Sequence, residues 1–504
     1  MDRIRIDWFL VALVFVASAM GVITLYGGDP TENSTGNKQL LWIFFGIGFM
    51  ILFALMNYQL IGSYSYILYI AGIFLLLITL MPFIGTKIKG ARSWIRFFGI
   101  GIQSSEIMKL VYLIAMAKYL SMKENEIAYI KELLIPFLLT IVPVFLIGVQ
   151  PDLGYSFMFI PLLVILLFIA GANADILAGF TMVGFFTVFI PMYMQYQRYI
   201  ITDDIIAMLA TDNYKLSEAV RSLLFDVWYY IDNASKLQNN LQNLHWDART
   251  VLEPANLAFF LNSVQNIYNE KTVFLRDFYL NNLSVLISIV VTFLTSTISY
   301  FIYWFYMRIP LLRRVAIITF IFCSTLTSSF LFYKILSFKT HQVIRLVSFA
   351  NPDKFPRGAG YQLRHSIITM GSGSVAGRGY ANGDMTKGNI PYLPEWFNDF
   401  VFSSYGEQFG FTGSSLLTLI LFLIVIRGVT IAWQSKDTFG TLLAAGISIL
   451  FFLHIFINIG ITIGIFPVTG IPLPFISYGG SNIVTSFIMI GMLLNIHSRK
   501  YINT

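Results

Sequence analysis

A succession of apolar stretches, each long enough to cross a lipid bilayer, is the feature that most restricts the fold of this chain. A helix needs about 20 mostly apolar residues to span the hydrocarbon core, and about twelve stretches meet that need. They lie near residues 8–27, 39–57, 64–84, 104–121, 133–149, 154–171, 175–196, 284–306, 315–337, 412–432, 439–464 and 482–497. The chain is only 12% charged, whereas soluble proteins carry about 25% charged residues. We therefore expect an all-α polytopic membrane protein.

The basic residues of the loops predict the direction in which these helices cross the membrane. Cytoplasmic loops are enriched in Lys and Arg. One orientation places the following basic positions on that side: Arg3, Arg5, 123–132, Arg308, Arg313, Arg314, Arg427, Arg499 and Lys500. Both termini are then cytoplasmic, and the net charge of +7 reflects this bias rather than an affinity for nucleic acid. The first apolar run shows no convincing cleavage site, so we expect an uncleaved helix.

Alternating apolar and polar segments divide the chain into five parts. Residues 1–196 hold seven spans, 284–337 two further spans, and 412–504 the C-terminal spans. Between them we expect a polar insertion, 197–283, and a large loop, 338–411, both on the outer face. Apolar residues recur every three to four positions in the insertion, which predicts amphipathic helices. Its charges are mixed with an acidic excess, which favours contact with a protein partner over a lipid surface.

The loop segment from Gly358 to Gly413 has the composition of a functional site. It is rich in glycine between Gly371 and Gly388, and Glu395, Asp399 and Glu407 follow. Loops of this length in compact proteins are usually functional or disordered, and the many apolar residues here argue against disorder. We expect a packed, irregular segment that lies over the membrane-embedded helices.

Four cations lie in the predicted outer loop 85–103, against the charge bias: Lys87, Lys89, Arg92 and Arg96. Orientation depends on a sum over many loops, so these cations could be there without a role. Alternatively, they bind an anionic substrate.

Ionisable and polar groups also lie within or beside the predicted spans. Glu106 and Lys109 are three residues apart on one helix face, where they either pair with each other or contact a substrate. Asp152 precedes the sixth span and either caps that helix or contacts the substrate. His454 and Asn458 are expected to form hydrogen bonds between helices.

Residues 460–482 contain three Pro and five Gly in an otherwise apolar stretch. Irregular backbone at membrane depth is tolerated only against protein or a wet cavity, so we expect a re-entrant turn with Ser477 and Ser481 as polar contacts. The single cysteine, Cys323, leaves no disulfide or metal framework. The sequence contains no nucleotide-binding fingerprint or metal-ligand spacing.

Five motifs, in order, resemble the SEDS family (shape, elongation, division and sporulation). They are GARSWI with QSSEIMKL, QPDLG, GAGYQ with GSG and GRG, LPEWFNDFVF with GEQFGFTG, and GIFPVTGIPLPFISYGGS. The last motif, with one Ser after its glycines, resembles the RodA branch more than the FtsW branch. The resemblance covers the chain except the insertion. Members usually have ten spans, so two are extra here.

The resemblance implies a peptidoglycan glycosyltransferase that polymerises lipid II on the outer face of the bacterial cytoplasmic membrane. It also implies a class B penicillin-binding protein as partner, which supplies the transpeptidase, and other membrane proteins of the elongation complex. The essential Asp of the family motif LPExHTDFIF corresponds to Asp399, the expected catalytic residue. The candidate substrate-binding residues are Arg92, Arg96, Glu106, Lys109, Asp152, Gln362, Ser366, Arg378, Glu395, Glu407 and Ser477.

Some motif positions depart from the family pattern. QSSE replaces QPSE, and GRG at 377–379 replaces GKG. His365-Ser366 stands where the family has Gln-Ser, and Phe397-Asn398 replaces the His-Thr before the essential Asp. Because that His is missing, no imidazole can be assumed beside Asp399.

Polymerisation of lipid II requires a base for the acceptor sugar's 4-hydroxyl and cations for the leaving diphosphate. Asp399 is the candidate base, since the neighbouring Trp396, Phe397 and Phe400 could desolvate it; the alternative is that Asp399 only caps the next helix. The candidate diphosphate contacts are Arg92, Arg96, Lys109 and Arg378. A divalent cation, Mg²⁺ or Mn²⁺, could share that work, although nothing in the sequence requires one.

Two other classes of function are compatible with these features. A lipid II flippase or another transporter would also contain broken helices and buried charges. A non-catalytic scaffold would only position a penicillin-binding protein. The concentration of polar groups in one outer loop favours the enzyme.

Overall fold

The computed structural model describes residues 6–28, 34–88, 91–97, 100–124, 126–128, 130–150, 152–211, 359–384 and 392–500, with isolated positions between Ile287 and Phe349. By its contacts the chain forms two units, Met1–Leu177 with Ser348–Thr504, and Ala178–Val347. Most of the predicted insertion, the two spans predicted at 284–306 and 315–337, Cys323 and Lys89 lie outside the described residues.

The described chain is mostly helical, which confirms the expected all-α membrane architecture. The helices are α1 Trp8–Gly28, α2 Ser34–Leu55, α3 Tyr58–Ser63, α4 Ser65–Leu80, α5 Ser104–Met122, α6 Leu134–Val149, α7 Leu153–Ile169, α8 Ala174–Thr211, α9 Ala359–Ser372, α10 Val401–Trp433, α11 Thr438–Thr462 and α12 Gly480–Arg499, with a 3-10 turn at Ile130–Leu133. Within the described residues, six helices are long and apolar enough to cross a membrane, and three shorter apolar helices accompany them. The protein is a multi-pass membrane protein.

Helix α5 lies inside the bundle, where it packs against α4, α7, α11 and α12. Nearly every residue of α5 is buried, including Glu106 and Lys109. Because other helices cover α5, its polar residues face protein rather than lipid, and this explains why its sequence is less apolar than that of the outer helices. Helix α12 is equally buried and packs closely on α2, where a Cβ added at Gly491 would lie 2.5 Å from the carbonyl oxygen of Met50.

The segment 85–103, expected to be a loop, forms a small antiparallel sheet instead. Its strands are β1 Gly85–Ile88, β2 Ala91–Phe97 and β3 Ile100–Gln103, in the order β1-β2-β3. Thr86 pairs with Trp94, and Ile95 pairs with Ile102. The short strands are separated by two-residue links that each contain Gly, a spacing typical of hairpins.

Helix α8 extends past residue 196, where we expected the insertion to begin, and ends at Thr211. The expected boundary was placed where the apolar residues stop. Helical hydrogen bonds lie within the backbone and do not need apolar side chains, so the helix continues into polar sequence.

The large loop is more regular than expected, because it contains α9 and the first turns of α10. Helix α9 is attached through Ser366, whose Oγ lies 2.7 Å from Oγ of Ser403 and donates to the carbonyl of Thr462 at 3.0 Å. The Gly-rich turn that follows is bound to α10, since the amides of Arg378 and Gly379 donate to Glu407 and Gln408 at 2.9 and 3.0 Å.

Gly410 separates the loop part of α10 from its membrane-spanning part. Its φ of 67° and ψ of −166° are not helical, and this backbone region is essentially restricted to glycine. A Cβ at this position would lie 2.3 Å from the amide nitrogen of Gly377 and 2.5 Å from the carbonyl oxygen of Val375. The break lies two residues before residue 412, where we expected the apolar span to begin, whereas helical structure begins at Val401.

We expect Gly410→Ala to destabilise the protein by at least about 1–3 kcal/mol, because the side chain forces both a strained backbone and a clash with the Gly-rich turn. The thermal midpoint of the detergent-solubilised protein measures this effect. Gly371→Ala is the matched control, since a Cβ there meets nothing within 4 Å. Equal midpoints for the two variants would contradict the role assigned to Gly410.

Candidate functional site

Asp399 lies in the turn segment that leads into α10, and its carboxylate faces the irregular segment after α11. A Cβ added at Gly470 would lie 3.7 Å from Oδ2 of Asp399. The backbone carbonyl of Asp399 accepts a hydrogen bond of 3.0 Å from Nδ2 of Asn458. Helix α10 begins at Val401 with Phe400 in the capping position, so Asp399 lies one residue before the position from which a side chain caps a helix.

The aromatic residues expected around Asp399 fix its segment in place. Trp396 and Phe400 are buried in a cluster with Leu25, Leu363 and Ile461, from α1, α9 and α11. Phe397 packs at the edge of this cluster. Asp399 is therefore held between buried neighbours in the chain while it remains partly exposed.

The Pro- and Gly-rich segment after α11 is irregular, and protein groups satisfy its backbone, as expected for a re-entrant turn. Asn458 donates to the carbonyl of Ile471 at 2.8 Å. Ser477 is buried, and its Oγ donates to the carbonyl of Asn398 at 2.7 Å while accepting from the amide of Leu473 at 2.8 Å. Ser477 therefore connects this segment to the residue before Asp399.

Glu106 and Lys109 form a buried ion pair, with Nζ of Lys109 at 3.1 Å from Oε1 of Glu106. Tyr155 of α7 donates to the same oxygen at 2.5 Å, and Thr485 of α12 donates to Oε2 at 2.9 Å. Nζ of Lys109 also lies 2.7 Å from Nε2 of His454 in α11. Glu106 and Lys109 therefore pair with each other, and His454 forms the hydrogen bond between helices that we expected.

The ion pair is connected to the Asp399 region through α11. Nδ1 of His454 lies 3.0 Å from the carbonyl oxygen of Pro472, and one turn further along α11 Asn458 binds the carbonyls of both Ile471 and Asp399. Since Lys109 can only donate, the network favours the imidazole tautomer that accepts at Nε2 and donates from Nδ1.

Asp152 occupies the N-cap position of α7, and its Oδ2 accepts from Nε2 of Gln103 at 3.1 Å. The amide of Gln103 in turn donates to Oγ of Ser481 at 3.0 Å. Burial raises the pKa of Asp152 to about 6, and the hydrogen bonds from Gln103 and from the Tyr155 amide only partly oppose this rise.

Arg378 and Glu407 form a separate group in the Gly-rich turn. Arg378 forms an ion pair with Asp384, and the amide of Asp384 donates to Oε1 of the buried Glu407 at 2.9 Å. These contacts tie the turn to α10. Glu395 has a left-handed backbone with φ of 59°, and its carbonyl accepts from the amide of Asn398 at 3.0 Å, which shapes the turn before Asp399.

The other two candidate diphosphate contacts, Arg92 and Arg96, lie on strand β2. Arg92 and Arg96 are four residues apart and therefore share a face of the strand. Nη1 of Arg92 lies 3.4 Å from the carbonyl oxygen of Leu80, and its buried Nε has no hydrogen-bond partner among the described residues. Arg96 is exposed, and Gln362 on α9 is half-buried.

Sequence reasoning missed Tyr155, Thr485 and Gln103 as members of the site. Tyr155 directly follows the QPDLG motif, and Thr485 lies four residues after Ser481, so polar residues within spans were the available signal. Across the described ranges, no three His, Cys, Asp or Glu side chains come close enough together to hold a metal ion.

Comparison with known proteins identifies the family. The model of the FtsW, RodA and SpoVE family, described as cell cycle proteins, matches residues 3–218 and 253–502. The chain belongs to this family. The match enters the predicted insertion from both sides and leaves 219–252 unmatched.

Two members of the family resemble this chain over nearly its full length, and a third resembles about a third of it. The peptidoglycan glycosyltransferase RodA of Treponema pallidum is 27% identical over 501 residues, 98% of each chain. The stage V sporulation protein E of Bacillus subtilis is 25% identical and covers 97% of this chain and 96% of its own length. The peptidoglycan glycosyltransferase MrdB of Escherichia coli is 36% identical over 160 residues, which is 32% of this chain and 43% of that protein.

Solved structures share the fold of this chain. A chain from a peptidoglycan synthase complex, in which polymerization and crosslinking are coordinated, superposes with a TM-score of 0.57 at 19% identity and covers 99% of this chain and 100% of its own length. The rod shape determining protein RodA of Thermus thermophilus superposes with a TM-score of 0.53 at 18% identity and full coverage of both chains.

Breaking the buried ion pair should be costly. We expect Lys109→Met or Glu106→Gln alone to destabilise the protein by about 3–5 kcal/mol, because one buried charge is left uncompensated. The double variant should recover much of this loss, since it leaves neither charge. Thermal unfolding in detergent measures all three variants.

The control for the ion pair is Lys123→Met, because Lys123 pairs with Glu126 at the same three-residue spacing but the two side chains are 33% and 54% exposed. Lys123 also lies 3.3 Å from Glu132. We expect little change there, since water screens such pairs. A double variant less stable than both single variants would contradict the assignment of the pair as a mutually compensating unit.

The raised pKa of Asp152 predicts a pH dependence of stability. A carboxyl whose pKa is higher in the folded than in the unfolded protein contributes stability when protonated, and this contribution is lost as pH rises through about 6. Asp152→Asn removes the titration. We expect the variant to gain thermal stability relative to the parent protein between pH 4 and pH 7. A difference between the two proteins that is constant with pH would refute this expectation.

Proposed function

We propose that this chain is a peptidoglycan glycosyltransferase that polymerises lipid II into glycan strands for cell elongation and shape, with Asp399 as the general base. The family match and the relatives named as glycosyltransferases support this reaction. The observation that carries the assignment of the base is the placement of Asp399, a carboxylate that faces Gly470 while its backbone is fixed to α11.

The proposed orientation places Asp399 on the outer face of the cytoplasmic membrane and both termini in the cytoplasm. Contacts at one end of the bundle support it. Arg427 forms an ion pair of 2.6 Å with Asp7, and Lys500 donates to Gln434 at 3.1 Å. These basic residues lie at the opposite ends of α1, α10 and α12 from Asp399, as a cytoplasmic location requires.

In the proposed reaction, Asp399 accepts the proton of the acceptor sugar's 4-hydroxyl as that oxygen attacks the donor's anomeric carbon. The bond from this carbon to the diphosphate breaks, and the polyprenyl diphosphate leaves with the bonding electrons. Cations must stabilise the charge that develops on the diphosphate. Across the described residues no three His, Cys, Asp or Glu side chains come together, so a divalent cation such as Mg²⁺ or Mn²⁺ would be bound mainly by the diphosphate oxygens.

Arg92 is the strongest candidate for the diphosphate contact. Lys109 is engaged by Glu106 and His454, and Arg378 by Asp384. Arg92, in contrast, has a buried Nε without a partner among the described residues, and a guanidinium can bind a phosphate with two parallel hydrogen bonds. Arg96, on the same face of β2, would add a second charge.

The proposed partner is a class B penicillin-binding protein that crosslinks the strands, together with other membrane proteins of the elongation complex. The solved peptidoglycan synthase complex with the same fold supports such an assembly. A flippase is the second candidate, because the buried charge network and the broken backbone after α11 would also suit transport.

Asp399→Asn should lower lipid II polymerisation by about 10²–10⁴-fold, the usual contribution of a general base. Polymerisation of labelled lipid II by the purified protein, with and without its partner, measures the effect. Asp175→Asn is the control, since Asp175 is exposed in the first turn of α8.

The same pair of variants separates the alternatives. If the protein is a flippase, the parent protein moves lipid II across the membrane without polymerising it, and the Asp399 variant loses this translocation. If it is a scaffold, the Asp399 substitution changes neither translocation nor polymerisation. Full polymerase activity in a folded Asp399→Asn protein would exclude Asp399 as the base.

A further inference from the structure

The backbone of Gly470 lies directly beside the carboxylate of Asp399. A Cβ built on Gly470 would lie 3.7 Å from Oδ2 of Asp399, an ordinary van der Waals distance. Apart from its two chain neighbours, no other atom of the described residues lies within 4 Å of that Cβ position. Asp399 is partly exposed and its Oδ1 is buried, so Oδ2 is the oxygen on this side. Gly470 and Oδ2 therefore border an open space, the Gly470 opening.

Contacts on both sides of this glycine hold the opening in place. Before it, a Cβ at Gly154 would lie only 2.4 Å from the carbonyl oxygen of Thr469, so the first turn of α7 packs directly against this backbone. After it, Nδ2 of Asn458 donates to the carbonyl of Ile471 at 2.8 Å and to the carbonyl of Asp399 at 3.0 Å. One side chain of α11 therefore sets the spacing between the two walls of the opening.

The carboxylate restricts what can occupy the Gly470 opening. An ionised carboxylate only accepts hydrogen bonds, and it repels other anions, so a phosphate group of the substrate is disfavoured beside Oδ2. A sugar hydroxyl can donate to Oδ2. In the proposed reaction, the acceptor's 4-hydroxyl must come within about 2.6–3.2 Å of the base, and the opening is a space from which it can do so.

We propose that Gly470 forms one wall of the binding site for the acceptor sugar, and that its lack of a side chain lets the acceptor's 4-hydroxyl reach Oδ2 of Asp399. The inference rests on the proposed function for the identity of the sugar. Gly470 takes no part in the proton transfer. It determines how closely the sugar approaches the base, because any side chain at this position would occupy the space that the hydroxyl needs.

The backbone conformation of Gly470 provides a second reason for a glycine, and the two reasons can be separated. Its φ of 77° lies in the left-handed region, which side chains disfavour. Asn adopts positive φ more readily than Ala, yet the Asn side chain is larger. A role in backbone conformation alone therefore predicts that Gly470→Asn is more active than Gly470→Ala. A role as the wall of the acceptor site predicts the reverse order.

Polymerisation of labelled lipid II by the purified full-length variants tests this order. We expect kcat/KM to fall by about 10-fold in Gly470→Ala and by about 100-fold in Gly470→Asn, because displacing a reacting group by about 1 Å can cost about 100-fold in rate. The thermal midpoint of Gly470→Asn should nevertheless equal or exceed that of Gly470→Ala. The control is Gly171→Ala, since Gly171 has a φ of 90° and a Cβ there meets nothing within 4 Å. This control should lose stability but keep its kcat/KM near the parent value.

Labelling of a cysteine at the opening gives a second measurement that needs no turnover. Cys323 is the only cysteine of the chain, so Gly470→Cys combined with Cys323→Ala leaves one thiol. We expect a small water-soluble thiol reagent to label it in the full-length protein. Lipid II at about ten times its Kd should slow the labelling by about 10-fold, because the fraction of free sites falls as 1/(1 + [L]/Kd). Gly171→Cys in the same background should be labelled equally fast with and without lipid II.

Higher activity in Gly470→Asn than in Gly470→Ala would overturn the acceptor wall. So would labelling at position 470 that lipid II does not slow, or protection by Mg²⁺ without lipid II, which would mark a cation site. If lipid II protects position 470 but the parent protein does not polymerise it, the proposed function is overturned and the contact of Gly470 with the substrate stands.

Discussion

The buried pair of Glu106 and Lys109 is the interaction on which the rest of the structure depends. Two charges inside a membrane protein are tolerated only when they are paired and their remaining hydrogen-bonding groups are satisfied. Here the satisfying groups come from α7, α11 and α12, through Tyr155, His454 and Thr485. Each of these helices must therefore hold its register against α5, and the pair acts as a common reference point for four helices.

Helix α11 connects the buried ion pair to the segment that contains Asp399. His454 and Asn458, one turn apart, bind successive carbonyls of the irregular segment after α11, and Asn458 also binds the carbonyl of Asp399. The carboxylate of Asp399 thus belongs to a loop, but its backbone is fixed to a helix. A base must be held within hydrogen-bond reach of the proton it removes, and in the proposed reaction this attachment would hold Asp399 in place without burying its side chain.

Several features of the fold could be predicted from sequence because they depend on local composition. Apolar length predicted the long apolar helices that the structure describes. The sheet at 85–103 and the helix α9 were missed. Each is short, and each is stabilised by contacts with distant residues, such as the bonds from Ser366 to Ser403 and Thr462. Local propensity carries little information about elements that depend on such contacts.

The sequence by itself determined that this is a helical membrane protein of the SEDS family with two carboxylates, Glu395 and Asp399, in the motif LPEWFNDFVF. Length, apolarity and motif order can be read from the sequence alone. Only the tertiary structure showed that Lys109 pairs with Glu106 inside the bundle, and that the buried Nε of Arg92 has no hydrogen-bond partner among the described residues. The three-residue spacing of Glu106 and Lys109 allows them to pair. It does not show which residues of other helices contact them, because those contacts depend on packing between residues far apart in sequence.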